Sequence, residues 1–451
     1  MKYVYNNIEY DLTFKKEDFD DIVLSDDLLE NINLYLAELL RKGEDIEEDI
    51  YNEFVELFEN EEAAYNFILQ LIKTKTGSIR SDILPKFLSA DNLNFLCSNG
   101  CSLYAGSKHI NENEEAKYKE LLASFNFGEE KKLPIVEKIQ QLVDERPEVA
   151  LNKLIEIQSF YENIYNNKGK SEKLAELIDN VKKSFLQEFV YNIDYENNHL
   201  HKKFIKKILS RDTTLGRIKL FTLNYDLLFE KTAEELGYLV NNGFIGFQNR
   251  IFNPSSFNLD YHLLQSSGAK KINKSFNLVK LHGSISWFED ENKPPYGLIE
   301  RQVLVNNEIL IKDEAAQIIY PIHNKKKKTL DLPYSELFRY FVDEINKPKS
   351  TLCIMGYSFL DEHVNDVILG ALSNPDFNLV IFSYDDIDNT ENDFLKTVYS
   401  QSFEDNRITI FTGDVLGDFE YILKFLLPVA DEKEPADIVF STFQKLLKAN
   451  K

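Results

Sequence analysis

Cysteine is scarce in this chain: Cys97, Cys101 and Cys353 are the only three among 451 residues. That is too few for a disulfide framework and one short of the four ligands of a structural zinc ribbon. Two of them flank a Ser/Asn/Gly turn and the third sits in an apolar run, so all three read as small packing residues. Long apolar runs are also missing. No stretch approaches the roughly 20 continuous residues of a membrane-spanning helix. The start of the chain, Met1 to Asp11, lacks the apolar block of a signal peptide, so a cytoplasmic location is expected. Basic residues are in deficit: 52 Lys and Arg face 75 Asp and Glu, for a net charge of -23. Such a chain is a poor match for nucleic-acid phosphates, and neither direct nucleic-acid contact nor a membrane partner is expected. The one basic cluster, Lys325 to Lys328, reads as a solvated loop. There are no repeats or low-complexity tracts of note.

What remains is an ordinary globular composition, 43% hydrophobic and 28% charged, in a chain long enough for two or three domains. The first ninety residues read as helical. Asp26 to Arg41 carries apolar residues at Leu28, Leu29, Ile32, Leu36 and Leu39, with Gly43 as a stop signal. Ile50 to Phe58 and Ala63 to Ile72 continue in that manner. Leu93 to Cys97 is then a short apolar run followed by Ser98-Asn99-Gly100-Cys101-Ser102. A strand and a small-residue turn form the layout of a phosphate-cradling loop, because backbone N–H groups then approach an anion closely; an ordinary turn has the same composition. Charged helical periodicity returns from Asn113 to Asp212, as in Leu151 to Ile157 and Leu174 to Val190. From Gly216 onward, strands alternate with helices, which predicts a parallel, doubly wound α/β sheet. The expected organisation is a helical N-terminal extension over 1–90, a catalytic α/β domain over 91–430 with a helical insertion at 111–214, and a helical C-terminal tail at 431–451.

Two apolar runs end abruptly in polar residues. Ile218 to Thr222 leads into Leu223-Asn224-Tyr225-Asp226, and Phe276 to Lys280 leads into Leu281-His282-Gly283. In open α/β sheets, ligands bind at the carboxyl ends of the strands. An amide, a carboxylate and an imidazole delivered there make a candidate chemical site. The bland readings are a turn cap for Asn224 to Asp226 and a structural histidine at 282.

Four motifs in order resemble the sirtuin family of NAD-binding proteins. Ser98 to Ser102 stands where the family has a glycine-rich loop, with Ser98 in place of its first glycine and Asn99 in place of its alanine. Thr222 to Asp226 stands where the family has Thr-Gln-Asn-x-Asp. His282-Gly283 matches its catalytic His-Gly, and Gly356-Tyr357-Ser358 matches its Gly-x-Ser. The closer resemblance is to prokaryotic sirtuin-like NADases of antiphage defence, in the subgroup paired with a HerA-type ATPase. It is carried by Asn242 to Gly246, Arg250 to Pro254, Lys280 to Trp287, Ile319 to Pro321 and Ile354 to Leu372. The resemblance covers about 93–106 and 217–414. It implies a Rossmann-like, sirtuin-type sheet without the zinc ribbon of protein deacylases, NAD+ as substrate, no zinc, a HerA-type ATPase partner and a homo-oligomer.

The implied chemistry is cleavage of the bond between ribose C1′ and nicotinamide, through a transition state resembling an oxocarbenium ion. Asn224 suits the ribose and the nucleophilic water, since its amide both donates and accepts. His282 suits the base, since an imidazole titrates at about 6.5. Those two are the expected catalytic residues. Ser98, Asn99, Gly100, Ser102, Thr222, Asp226, Gly283, Gly356 and Ser358 are the expected NAD-binding residues, with Gly283 giving close backbone approach. Around them, Asp361 reads as a helix cap, His363 as a surface residue, Asp385 as a solvated turn acid, and Trp287 as core. His323 and Lys325 are placed near the pocket mouth. The expected function is an NAD+ glycohydrolase in antiphage, abortive-infection defence. A non-hydrolytic NAD or ADP-ribose sensor controlling the ATPase is the alternative, and a protein deacylase comes third.

Overall fold

The apolar runs become strands that are buried on both faces, as parallel strands covered by helices must be. The computed structural model describes residues 1–428, apart from 20–21, 42–45, 109–116, 129–132, 146, 190–192, 213, 248–249, 266–267, 273, 291 and 303–331. Its main sheet comprises β1 (Lys2–Tyr5), β2 (Ile8–Asp11), β3 (Asn92–Cys97), β4 (Lys219–Thr222), β5 (Leu239–Asn241), β6 (Ser275–Lys280), β7 (Ser350–Met355), β8 (Phe377–Ser383) and β9 (Ile408–Thr412). These nine run in the order β2-β1-β9-β8-β7-β3-β4-β6-β5. All neighbours from β9 to β5 are parallel, while β1 pairs antiparallel with β9 and with β2. After β3 the chain adds β4, β5 and β6 on one side, then returns to add β7, β8 and β9 on the other. The sheet therefore reverses direction at β3 and β7, the kind of place where a ligand crevice opens.

Alternate side chains of each strand enter two separate cores. Phe95, Leu220, Leu278, Cys353 and Phe382 pack on one face against Ile68, Ile72, Phe204 and Phe229. Leu96, Phe221, Val279, Ile354 and Ile381 pack on the other against Phe341, Ile368 and Val398. The α/β, doubly wound expectation thus holds, with helices on both sides of a parallel-dominated sheet.

The first ninety residues are not all helix. β1 and β2 extend the sheet edge, and the helices Glu48–Glu56 and Glu61–Ser78 follow. The expected helix over 26–41 breaks into Asp26–Leu34 and Leu36–Leu40 at Tyr35. Beside the break, Asn33 turns its amide onto Phe14, accepting from its N–H at 2.7 Å and donating to its carbonyl at 3.0 Å, a tertiary tie that periodicity does not reveal. The helices between β3 and β4 build a core of their own, in which Leu122, Ile139, Leu154 and Val181 pack with Ile285 and against Tyr225 and Leu227. The expected tail at 431–451, Gly43, Ile319 to Pro321, His323 and Lys325 to Lys328 lie outside the described residues. Among the described residues, no helix is long and apolar enough to cross a membrane.

A buried ion pair fastens helix Tyr334–Ile345 to the start of β4. Lys219 Nζ lies 2.9 Å from Glu344 Oε2, with side chains 8% and 3% exposed, and Lys347 Nζ lies 2.7 Å from Glu344 Oε1. Burial alone raises the Glu344 carboxyl, but the two lysines outweigh it and hold it below its ordinary 4.5. Burial pulls the Lys219 ammonium down, so desolvation offsets much of the pair's attraction. A carboxyl lowered by folding contributes stability above its unfolded value and loses it as pH falls through the folded one. Urea midpoints between about pH 3 and 6 are expected to fall below about pH 4.5, and Glu344→Gln to flatten that fall.

Candidate functional site

The four motif loops leave four strands that are consecutive in the sheet, β7, β3, β4 and β6. Sheet order alone therefore sets residues 356–358, 98–102, 223–226 and 281–284 side by side at one edge.

The loop after β4 is built from its own side chains. Thr222 is fully buried, and its Oγ1 accepts from the Asn224 N–H at 3.1 Å. Asp226 Oδ1 accepts from the Leu228 N–H two residues on at 3.0 Å, a side-chain turn that leads into helix Leu228–Leu236. The turn-cap reading is thus correct for one oxygen of Asp226. The other oxygen accepts from Ser102 Oγ at 3.1 Å, and Asn224 Nδ2 donates to Ser102 Oγ at 3.0 Å and to the Ser98 carbonyl at 3.3 Å. Ser102, Asn224 and Asp226 form one hydrogen-bonded chain across two loops, with exposures of 0%, 7% and 4%.

In the loop after β3, most backbone donors are already engaged. The N–H of Ser98 donates to Met355 at 3.1 Å, that of Gly100 to Gly356 at 3.0 Å, that of Cys101 to Ser98 at 2.9 Å and that of Ser102 to Asn99 at 2.8 Å. The Asn99 side chain folds back on Ser107 and Lys108. The glycines at 100 and 356 serve the contact between the two loops. A Cβ on Gly100 would stand 2.6 Å from Gly356 Cα, and one on Gly356, where φ is +63°, would stand 2.5 Å from the Cys101 nitrogen. Gly356→Ala combines a left-handed backbone costing about 1–2 kcal/mol with overpacking of about 1–3 kcal/mol. It is expected to destabilise the protein by about 2–5 kcal/mol in urea unfolding; an unchanged midpoint would show that the loops do not need this approach. Ser358 is exposed at the rim, and its carbonyl accepts from Asn392 Nδ2 at 3.0 Å.

Beyond β6, His282 is 4% exposed and Gly283 has φ +90°. His282 Nε2 lies 3.0 Å from Asp361 Oδ2. Asp361 is also the expected cap, since its Oδ1 accepts from the His363 N–H at 3.1 Å. Reading it only as a cap missed the second oxygen. Lys280, the last residue of β6, was missed too. It is 2% exposed, with Nζ 2.9 Å from Glu230 Oε1 and donating to Ser284 Oγ at 3.2 Å, the Tyr225 carbonyl at 3.4 Å and the Asp226 carbonyl. One ammonium thereby ties the two polar loops together, and the Ile285 N–H adds a bond to the Tyr225 carbonyl at 3.2 Å. The signal was visible: Lys280 is a lone charge in an otherwise uncharged strand. Burial pushes the Glu230 carboxyl above its ordinary value, and Lys280 opposes that rise.

The remaining residues are placed as follows. Trp287 packs in the core, 5.2 Å from the Phe244 ring. The His363 ring lies 4.5 Å from Phe338. Asp385 is exposed in a turn with Thr390 Oγ1 at 3.3 Å from its carboxylate. All three cysteines are buried and free, and burial pushes the Cys353 thiol up to about 12. Among the described residues, no group of three or more His, Cys, Asp or Glu is set to hold a metal ion. The assembled groups are an amide, a hydroxyl, a carboxylate and a histidine with its own carboxylate. They offer neutral hydrogen bonding to a polyhydroxylated ligand together with a proton acceptor.

Residues 219–403 match the family model described as the SIR2-like domain. The chain matches no curated protein. Among solved structures, it is similar to a Sir2 homologue in complex with NAD, at 12% identity and a TM-score of 0.38, over 76% of this chain and 93% of that one. It is also similar to a histidine variant of a Sir2 homologue in complex with ADP-ribose, at 11% identity and a TM-score of 0.31, over 72% and 96% of the two chains. The loops after β4, β6 and β7 thus fall inside the stretch that matches the SIR2-like domain model.

Proposed function

We propose that this protein is an NAD+ glycohydrolase, cleaving NAD+ to nicotinamide and ADP-ribose. The observation that carries the reading is the convergence of Ser102, Asn224, Asp226 and His282 at adjacent strand ends, within a domain whose β4-to-β7 part matches the SIR2-like model. In this reading, the C1′–nitrogen bond breaks and its electron pair neutralises the pyridinium of the departing nicotinamide. A water oxygen bonds to C1′ and gives its proton to His282. Asn224 holds the ribose and that water, Ser102 and Asp226 fix the Asn224 amide, and Gly283 admits the ribose to the backbone. Ser98, Asn99, Gly100, Thr222, Gly356 and Ser358 frame the remainder of the NAD+ site.

The biological setting follows from the sequence resemblance: antiphage defence in the cytoplasm, a homo-oligomer, and a HerA-type ATPase that regulates turnover. Affinity purification from the native cell tests the partnership, and the same sample serves for assay of NAD+ loss. Purified protein, alone and with its co-purifying partner, is incubated with NAD+ and the products are separated. Equal amounts of nicotinamide and ADP-ribose support the reading. Release of nicotinamide only when an acyl-lysine peptide is added would replace it with a deacylase. A second reading, a non-hydrolytic NAD or ADP-ribose sensor, would use the same strand-end groups for binding alone. Tight NAD+ binding without nicotinamide release under any condition would establish it.

A further inference from the structure

We propose that Asp361 is the positioning residue of His282: it holds the imidazole in place and supports its positive charge. The catalytic part of this claim rests on the reading of His282 as the base. A helix N-cap needs one acceptor oxygen. Asp361 uses Oδ1 for that, accepting from the His363 N–H at 3.1 Å at the start of helix Glu362–Ala371. Its Oδ2 is directed elsewhere, to 3.0 Å from His282 Nε2, and both side chains are 5% exposed. Charges that close, away from water, interact far more strongly than at a surface.

The approach to Asp361 is held by several independent ties. The Tyr357 hydroxyl lies 3.1 Å from the Asp361 carbonyl and 3.0 Å from Asn365 Oδ1, and it accepts from the Asp361 N–H at 3.2 Å. Between them, Phe359 has φ +56°, a left-handed conformation that bulky residues rarely adopt. Asn365 Nδ2 holds the Phe359 carbonyl at 2.8 Å. A strained residue braced from several sides is the pattern of a turn kept for what it aims. Here it turns the chain from the rim at Ser358 back to the end of β6. Among the described residues, the titratable groups on the elements around His282 include Lys280 on its own strand end, Asp226 after β4, Asp361 and His363 after β7, and Glu336 and Arg339 on helix Tyr334–Ile345, whose Phe338 ring lies 6.5 Å from the imidazole. Asp361 lies at ion-pair distance.

Asp361→Asn separates this role from the cap, because Asn and Asp cap helices equally well and the two side chains have the same shape. The full-length protein is labelled on histidine, His282 is identified by the signal lost in His282→Asn, and its titration is followed by NMR in the wild type and in Asp361→Asn. Nicotinamide release is measured across pH on the same samples. Without the facing carboxylate, His282 is expected to titrate about one pH unit lower. The acid limb of turnover is expected to move down with it, and kcat to fall by about 100-fold, with the urea midpoint close to wild type. An identical His282 titration in both proteins would overturn the proposal, as would a shifted titration with unchanged kcat. If wild-type protein releases no nicotinamide under any condition while the titration still shifts, the pairing stands and the glycohydrolase reading fails.

Discussion

Asn224→Ala is expected to lower nicotinamide release by at least about 100-fold, the usual effect of removing one positioned hydrogen-bonding group from an active site. Asn224 spends its Nδ2 donor on Ser102 Oγ at 3.0 Å and the Ser98 carbonyl at 3.3 Å. Those bonds fix which way the amide faces, leaving its oxygen as the acceptor for a ribose hydroxyl or a water. Truncation removes that oxygen and frees Ser102 to rotate, although Ser102 keeps its bond to Asp226. The fold should survive, since the loss of one or two neutral hydrogen bonds costs about 1–3 kcal/mol. Steady-state kinetics beside a urea melt separate the two effects. Wild-type turnover in a folded Asn224→Ala protein would remove Asn224 from the mechanism.

Lys280→Met is expected to have the largest effect on stability, about 3–5 kcal/mol, because removing one member of a buried ion pair leaves the other charge uncompensated. Its ammonium is the shared donor for the Asp226 and Tyr225 carbonyls and Ser284 Oγ, and it lies 2.9 Å from Glu230 Oε1. Glu230 is already pushed towards its neutral form by burial, so Lys280→Met should drive it further that way. Adding Glu230→Gln removes the stranded charge, and the double variant is expected to regain part of the loss. A single variant that unfolds at the wild-type urea concentration would show that Lys280 does not hold the two loops together.

Much of the architecture was legible in the chain because its interior strands are nearly pure apolar runs. Leu93 to Cys97, Thr351 to Met355 and Ile408 to Thr412 fall within β3, β7 and β9. Gly237, at φ +67°, closes helix Leu228–Leu236 where a glycine stop is expected. β1 and β2 were not legible. They are four-residue strands at a sheet edge, with β2 wholly exposed, so their pairing depends on β9, some four hundred residues away in sequence.

At the site, periodicity located Asn224 and His282 because each follows a buried strand. It could not show that Ser102 would bridge Asn224 and Asp226, since that contact spans 122 positions to one partner and 124 to the other. Nor could it show that Gly100 and Gly356 would pack backbone to backbone, because the same small-residue composition fits a phosphate-cradling loop and an ordinary turn. Asp361 illustrates the same limit, because a helix-start aspartate looks identical in sequence whether one of its oxygens is engaged or both.

The most direct test follows bound and free NAD+ in one sample by NMR, for wild-type protein and for His282→Ala. The account predicts that wild type, with its partner where one co-purifies, releases nicotinamide and ADP-ribose in equal amounts, while His282→Ala binds NAD+ and leaves it intact. Equal nicotinamide release by both proteins, or intact bound NAD+ in both, would contradict it.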